Sequence, residues 1–293
     1  MDLTNFIRED DLYQPASLNI HLFLGSILIN ILAFALAFEP RVKIEMKNKT
    51  ILVPTDFSEN ATTAVRYSVD LATEIHAKLV VMHAFRLVET ATTLNSSAVT
   101  IKEEWHQETE NKFIELQESV LKNPSIPVEF SSEIGFAHNA IQEAANTHEA
   151  HLVVMGMSGK NNMILGSTAK EIIKSNNFFT LLLPPNAQYT GLKKVAVVCN
   201  KFPREHAFSQ VVKLLSLQDA TFCFLNIGEV EADMVAPIKL KGAYRNINAA
   251  KLPESISAIN PQLVINCTVD ENESELIQFL FDNSHCAYLK VPI

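Results

Sequence analysis

Hydrophobic and polar positions follow a repeating order along the chain, in which short apolar runs alternate with longer amphipathic stretches. The first run, TILVPT (50–55), is short, apolar and ended by a proline, which predicts a β-strand. The next stretch, 58–76, places its apolar residues on one helical face, with Ser58 as the predicted N-cap. The same order predicts strands at 78–85, 127–134, 151–156 and 178–185, and helices at 98–122, 138–147 and 167–175.

The predicted strands contain continuous apolar runs, such as LVVM at 152–155, instead of an apolar–polar alternation. Runs of this kind are typical of a parallel sheet that helices cover on both faces. Strands that alternate with helices also indicate βαβ units with right-handed crossovers. Residues 46–188 are therefore predicted to form an α/β domain with a doubly wound, parallel five-stranded sheet.

A second, shorter copy of the pattern follows in residues 192–293. The segment 196–202 aligns with 51–57, 220–227 with 77–84, 261–270 with 150–159, and AYLKVPI (287–293) with the closing strand of the first copy. Two copies of about a hundred residues or more differ from a solenoid, which needs a shorter period and more repeats. They predict two tandem like domains that pack as a pseudo-dimer.

Residues 1–45 differ from the rest of the chain. The segment 18–38 holds 21 residues without Asp, Glu, Lys or Arg, and about 20 helical residues span a bilayer. The basic residues Arg41 and Lys43 follow it, which would leave the remaining chain in the cytoplasm. Met46, however, opens a stretch typical of the start of a cytosolic domain. Two interpretations stay open: a membrane anchor at 18–38, or an N-terminal extension that the cell does not translate, with a cytoplasmic protein.

Composition narrows the function classes. The net charge is -9 and no basic run is visible, which argues against nucleic acid as a partner. The four cysteines are widely spaced and form no CxxC pair, so we expect small buried hydrophobic side chains in a reducing compartment. His83 ends the second predicted strand near the cleft, and a histidine at such a place is predicted to be structural. His148 and His151 are not predicted to bind a metal, because their spacing is not that of HExxH and the pair straddles a helix end and a strand start.

The segment GMSGKNNMILGST (156–168) concentrates three of the chain's 8 glycines in thirteen positions. It leaves the carboxyl end of a predicted strand, where open α/β sheets bind ligands, and enters a predicted helix, whose N-terminus attracts anions. Gly156 and Gly159 would let backbone amides approach an anion. We therefore expect Gly156→Val to abolish ligand binding and to leave the protein folded. The alternative interpretation is a glycine-rich turn that caps a helix.

Asp56 follows the first predicted strand, which should lie beside the strand that ends at Gly156. A carboxylate there can accept hydrogen bonds from a ribose hydroxyl or a base amino group. Its alternative role is that of a turn or helix-capping aspartate.

Together these residues resemble the universal stress protein family. The resemblance is carried in order by ILVPTDFSENATTAVRYSVDLA, KLVVMHAF, LVVMGMSG and GSTAKEIIK, and it covers 46–188. It implies a Rossmann-like fold, dimers joined along the last strand, and a site for ATP or another adenine nucleotide, with or without Mg²⁺. It assigns base and ribose contacts to Pro54, Thr55, Asp56 and Ala84, flanking contacts to Met155 and Gly156, and phosphate contacts to Gly159, Gly166, Ser167 and Thr168.

Two departures from the family pattern matter. Six residues separate Gly159 from Gly166 where the family has nine, and an extended loop three residues shorter reaches up to ~10 Å less far, so ADP or AMP could replace ATP. In the second copy Lys201 stands at the position of Asp56, and Glu271, Glu273 and Glu275 follow the third matched strand. Because carboxylates repel phosphate, this degenerate domain is predicted to bind no nucleotide and to pair with the first.

The resulting function hypothesis is a nucleotide-binding protein of stress response or signalling, without chemistry of its own. One alternative is a slow ATPase, or self-phosphorylation at Ser167 or Thr168. Another is a scaffold without nucleotide, tethered to a membrane. The tandem chain would act either as a complete monomer or as a homodimer through its first domains.

Overall fold

The alternation of strands and helices is present in the computed structural model, which describes residues 48–85, 97–122, 124–157, 165–175, 177–200, 205–228, 240–268, 273–283 and 286–292. The strands are β1 (Thr50–Pro54), β2 (Lys78–Phe85), β3 (Val128–Ile134), β4 (Leu152–Gly156), β5 (Phe179–Leu183), β6 (Lys194–Cys199), β7 (Thr221–Asn226), β8 (Gly242–Asn246), β9 (Leu263–Asn266) and β10 (Ala287–Lys290). The helices are α1 (Glu59–Ile75), α2 (Ser97–Ser119), α3 (Ala137–Thr147), α4 (Ser167–Ser175), α5 (Glu205–Leu214), α6 (Leu252–Ile259) and α7 (Glu273–Asn283).

The predicted membrane segment 18–38 lies outside the described residues, as does the whole N-terminal extension 1–45. Among the helices that are described, none is long and apolar enough to cross a bilayer.

The described strands form one sheet in the order β3-β2-β1-β4-β5-β10-β9-β6-β7-β8. Strands β1 to β5 are parallel, and the chain reverses its direction of travel across the sheet between β1 and β4. Strands β6 to β10 are also parallel to one another and repeat the same order, with β6 and β9 in the places of β1 and β4. The doubly wound, five-stranded arrangement predicted for the first half is thus present twice.

The two halves meet where β5 and β10 pair antiparallel. Tyr288 lies opposite Leu182, Leu289 opposite Leu181, and Lys290 opposite Thr180. The sequence alignment of the halves matches Leu289 with Leu181 and exchanges the other two pairs. The register is therefore symmetric about Leu181 and Leu289, which is the geometry of a pseudo-dimer formed within one chain.

Apolar side chains fill both faces of the sheet. Successive residues of a strand point to opposite faces, so Ile51 and Val53 pack against the face that carries α1 and α5. Leu52, between them, packs with Ile141 of α3 on the other face. This two-sided burial explains why the strand sequences are continuous apolar runs.

Strand β8 was not predicted. Its residues Gly242–Asn246 are all exposed, and it pairs with β7 at the edge of the sheet. An exposed edge strand needs no apolar run. The ring of Tyr244 stacks on that of Phe224 with centroids 4.6 Å apart, which anchors the strand to its neighbour.

The four cysteines are free thiols, and Cys199, Cys223 and Cys286 are buried. Burial raises the pKa of Cys199 to about 11 and that of Cys286 to about 12. At neutral pH these two thiols stay protonated, and they pack as small hydrophobic groups, as predicted.

A buried polar network ties β9 to β10 in the second half. The Asn266 amide donates to the Tyr288 hydroxyl at 2.8 Å. Its oxygen accepts from the backbone N–H of Thr268 at 3.0 Å and from the Thr268 hydroxyl at 2.8 Å. Asn266 and Tyr288 are both fully buried, so each lost bond would leave a polar group without water.

Replacing Tyr288 by Phe should lower the free energy of unfolding by about 1–3 kcal/mol, because the Asn266 amide loses its acceptor in the core. Urea unfolding followed by circular dichroism measures the loss. The matched control is Tyr244→Phe, which keeps the exposed stack on Phe224 and should change stability by less than about 0.5 kcal/mol. Equal stabilities of the two variants would contradict this role of the network.

Candidate functional site

A cavity of about 200 Å³ opens at the point where the chain reverses, beyond the carboxyl ends of β1 and β4. Open α/β sheets bind their ligands at this place. We call it the switch-point cavity. It is lined by Pro54, Thr55, Asp56, Ser58, Asn60, Ala61, Met82, Ala84, Ala137, Ile141, Met155, Gly156, Gly166, Thr168 and Ala169.

Asp56 lies in a tight turn between β1 and α1. Its Oδ1 accepts from the backbone N–H of Ser58 at 3.0 Å, and the Thr55 hydroxyl accepts from that of Phe57 at 2.9 Å. Phe57 adopts a left-handed conformation with φ 60°. Asp56 thus has the turn-forming role of the alternative interpretation, and its exposed carboxylate also lines the cavity.

His83 supports this turn from the neighbouring strand β2. Its Nδ1 lies 2.7 Å from the carbonyl oxygen of Thr55. A carbonyl oxygen only accepts, so Nδ1 carries the proton and donates. The imidazole also lies 4.8 Å from the ring of Phe57, between ring centroids. His83 therefore holds the backbone that presents Asp56, in agreement with its predicted structural role.

Three helix N-termini face the cavity, because the carboxyl ends of parallel strands lead into helices at the same edge of the sheet. Ser58 caps α1, Ala137 begins α3, and Thr168 lies in the first turn of α4. Helix α3 has Phe136 at its N-cap, which supplies no capping hydrogen bond, and neither α3 nor α4 has an acidic residue in its first turn. The partial positive charges of these helix ends favour an anion at the cavity.

Gly156 has a different role from the one predicted. A Cβ on Gly156 would lie 2.4 Å from the carbonyl oxygen of Asn60 and 2.8 Å from its carbonyl carbon. The glycine is required because the backbone of α1 packs directly on the end of β4. Gly156→Val is therefore expected to destabilise the fold, in contrast to the expectation from the sequence, since a valine would push α1 away from the sheet.

The structure brings most of the predicted site residues together. Eight of the ten line the switch-point cavity: Pro54, Thr55, Asp56, Ala84, Met155, Gly156, Gly166 and Thr168. Ser167 is exposed as the first residue of α4 and does not line it. Gly159 and the surrounding segment 158–164 lie outside the described residues.

Sequence reasoning missed several residues that line the cavity. Ser58 and Asn60 come shortly after Asp56, at the start of a predicted helix, and this position could have indicated that they line the site. Ala137 and Ile141 come from α3, which no sequence motif linked to the site. Their contribution depends on the packing of α3 beside α4, where His138 Nδ1 and Glu171 Oε2 lie 2.7 Å apart.

The histidines at 148 and 151 have separate partners. His151 Nδ1 accepts from the backbone N–H of Thr50 at 3.3 Å, while His148 lies 3.5 Å from Glu129. The two rings thus serve different contacts at the opposite end of the strands from the switch-point cavity.

A parallel, doubly wound sheet with a cavity at its switch point is the architecture in which α/β proteins bind their ligands. The sequence model of the universal stress protein family matches residues 47–178. The family prediction is confirmed for this segment: residues 47–178 form a universal stress protein domain.

Known proteins are similar over one or both halves. The universal stress protein MJ0577 of Methanocaldococcus jannaschii is 28% identical over 150 residues, which cover 44% of this chain and 90% of that protein. The crystal structure of a universal stress protein from Archaeoglobus fulgidus superimposes with a TM-score of 0.63 at 12% identity, over 84% of this chain and 98% of that chain. The likeness of fold therefore extends into the second half. A universal stress protein solved in complex with cAMP is 20% identical, with a TM-score of 0.38, over 47% of this chain and 98% of its own.

Replacing Gly156 by Ala should destabilise the protein by about 1–3 kcal/mol, because the new methyl group overlaps the backbone of Asn60. Urea unfolding measures the effect. Thr168→Val, a substitution of similar shape in the same cavity, serves as the control and should cost less than about 1 kcal/mol. A Gly156→Ala protein as stable as the parent would show that the contact is not tight.

Proposed function

We propose that this chain binds an adenine nucleotide in the switch-point cavity, as a stress-response or signalling protein whose bound state sets its conformation or its choice of partner. The observation that carries the proposal is the meeting of Asp56 with the N-termini of α1, α3 and α4 at one cavity. A nucleotide has a hydroxyl-rich sugar beside an anionic phosphate, and this cavity has an acceptor beside positive helix ends.

The lining suggests a division of roles. Asp56 Oδ1 is held by the N–H of Ser58, so the other carboxylate oxygen is the proposed acceptor for ribose hydroxyls. The base would pack against the side chains of Ala84 and Met155, as the family resemblance implies, and against Met82. Phosphates would take amide and hydroxyl donors from Gly166 and Thr168, which line the cavity. Ser167, which does not line it, and Gly159 are proposed contacts on the family resemblance alone.

The size of the nucleotide is a further part of the proposal. The cavity is smaller than the ~300–1,000 Å³ typical of drug-sized ligand sites, and only six residues separate Gly159 from Gly166. Both features make AMP and ADP candidate ligands in addition to ATP. Mg²⁺ would accompany the nucleotides with longer phosphate chains.

We propose that the second half binds no nucleotide. At its own switch point, between β6 and β9, the side chain of Asn266 is hydrogen-bonded to Thr268 and Tyr288. The ammonium of the buried Lys290 lies 3.5 Å from the carbonyl oxygen of Thr268. Instead, β10 pairs with the edge of β5. A homodimer of this chain would need another surface, since that edge is already occupied.

Binding without turnover is the proposed activity, and the cytoplasm is the proposed location of residues 46–293, whether or not 18–38 anchors them. Asp56 is the single carboxylate among the described lining residues, and it already accepts from the turn that it forms. A general base for ATP hydrolysis would need a free acceptor beside the phosphates. Steady release of ADP that disappears in Asp56→Ala would contradict this part of the proposal.

Replacing Asp56 by Ala should weaken ATP or ADP binding about tenfold or more, because a hydrogen bond to a charged group is lost. Isothermal titration calorimetry of the full chain measures the affinity. The matched control is Asp70→Ala, which removes an exposed carboxylate from the same helix α1, away from the cavity.

The affinity of the Asp70→Ala variant should equal that of the parent protein. The proposed function fails if the parent binds no adenine nucleotide at millimolar concentration while remaining folded. The site assignment fails if Asp56→Ala and Asp70→Ala bind nucleotide equally well.

A further inference from the structure

A second and larger cavity, of about 660 Å³, lies where the two halves meet. We call it the seam cavity. Helix α1, the connection between the halves, the end of α6 with the loop to β9, and α7 all contribute to its wall. Its lining residues are Tyr67, Asn186, Gln188, Thr190, Gly191, Ile256, Ser257, Asn260, Pro261, Gln262, Phe279, Asn283 and Cys286.

The chemistry of this lining is polar but uncharged. Charged residues make up 19% of the chain, yet none is among these thirteen. Five of the side chains are carboxamides, and Thr190 and Ser257 add hydroxyls. The volume falls within the ~300–1,000 Å³ typical of small-molecule sites. Among the described lining residues there is no cationic side chain for a phosphate or carboxylate and no carboxylate for an amine. The Glu74 carboxylate lies just outside this lining, with Oε2 3.9 Å from the place that a Cβ on Gly191 would take.

Two of the carboxamides have one end fixed by the protein. The oxygen of Gln262 accepts from the backbone N–H of Lys194 at 2.8 Å, so its amino group is the end available to a ligand. The amino group of Asn283 donates to the carbonyl oxygen of Phe279 at 3.1 Å, so its oxygen is the available end. The cavity therefore presents a fixed donor and a fixed acceptor.

Two other carboxamide residues are explained by their backbone conformation. Asn186 and Asn260 adopt left-handed conformations, with φ of 61° and 48°, which asparagine tolerates better than most residues. They nevertheless add amide groups to the wall. Gln188 has no such backbone constraint, because its φ is not positive.

Apolar surface completes the wall. Phe279 and Ile256 contribute side chains from α7 and α6, and Tyr67 contributes a buried ring from α1. The ring of Tyr67 packs edge-on against that of Tyr189 with centroids 5.1 Å apart, which fixes its position. An apolar wall with convergent amide groups suits a ligand that has both C–H faces and hydroxyl edges.

We propose that the seam cavity binds a small neutral compound rich in hydroxyl groups, of the sugar and polyol class. A hydroxyl both donates and accepts, so the hydroxyl groups of such a compound can serve the Gln262 donor as well as the Asn283 acceptor. Because both halves and their connection line the cavity, the ligand would bridge them. This site is independent of the nucleotide proposed for the switch-point cavity.

Saturation-transfer NMR on the full chain, with trehalose, sucrose and myo-inositol as probes and glucose 6-phosphate as the charged comparison, tests the proposal. Direct binding is measured because sugars also stabilise proteins without binding to them. At least one neutral probe should bind saturably. Asn283→Leu should weaken that binding about tenfold, since the fixed acceptor is lost.

The matched control is Gln278→Leu, which lies on the same helix but outside the lining and should leave binding unchanged. Asp56→Ala should also leave it unchanged, which separates this result from nucleotide binding. If Asn283→Leu does not fold, Ser257→Trp, which fills the cavity, takes its place and should abolish binding. The proposal is overturned if no neutral probe binds at about 50 mM, if these lining variants bind like the parent, or if glucose 6-phosphate binds as tightly.

Discussion

The close contact between helix α1 and the end of strand β4 is the constraint on which the candidate site depends. With no Cβ on Gly156, the backbone of Asn60 can lie directly against it. That contact sets the distance between the turn that carries Asp56 and the helix that begins at Ser167. A wider spacing would separate the carboxylate from Gly166 and Thr168, and the switch-point cavity would lose one wall.

The two halves of the sheet share one strand order but differ at their switch points. Both halves have the same strand order, and their last strands pair about Leu181 and Leu289. In the first half the switch point holds a cavity lined by helix N-termini. In the second half the ends of β9 and β10 are tied together by Asn266 and Tyr288. The pairing of β5 with β10 covers an edge that would otherwise be open to other strands.

Much of the fold could be predicted from the sequence, because strands buried on both faces require continuous apolar runs, and Ser58 caps α1 as expected. Strand β8 could not, since an exposed edge strand has no such run. Most residues of the candidate site were predicted, but the structural reason for one of them was not. Gly156 was attributed to an approaching anion, whereas helix packing requires it, and its neighbour Asn60 belongs to a distant part of the chain. Contacts of that kind have no local signature in sequence.

The central claim is that converging helix N-termini hold a phosphate while Asp56 holds the attached sugar. The most direct test compares adenosine, AMP and ADP by calorimetry on the full chain, because the three differ only in phosphate. The account predicts that AMP and ADP bind at least about tenfold more tightly than adenosine. Equal affinity for adenosine and its phosphates would contradict it.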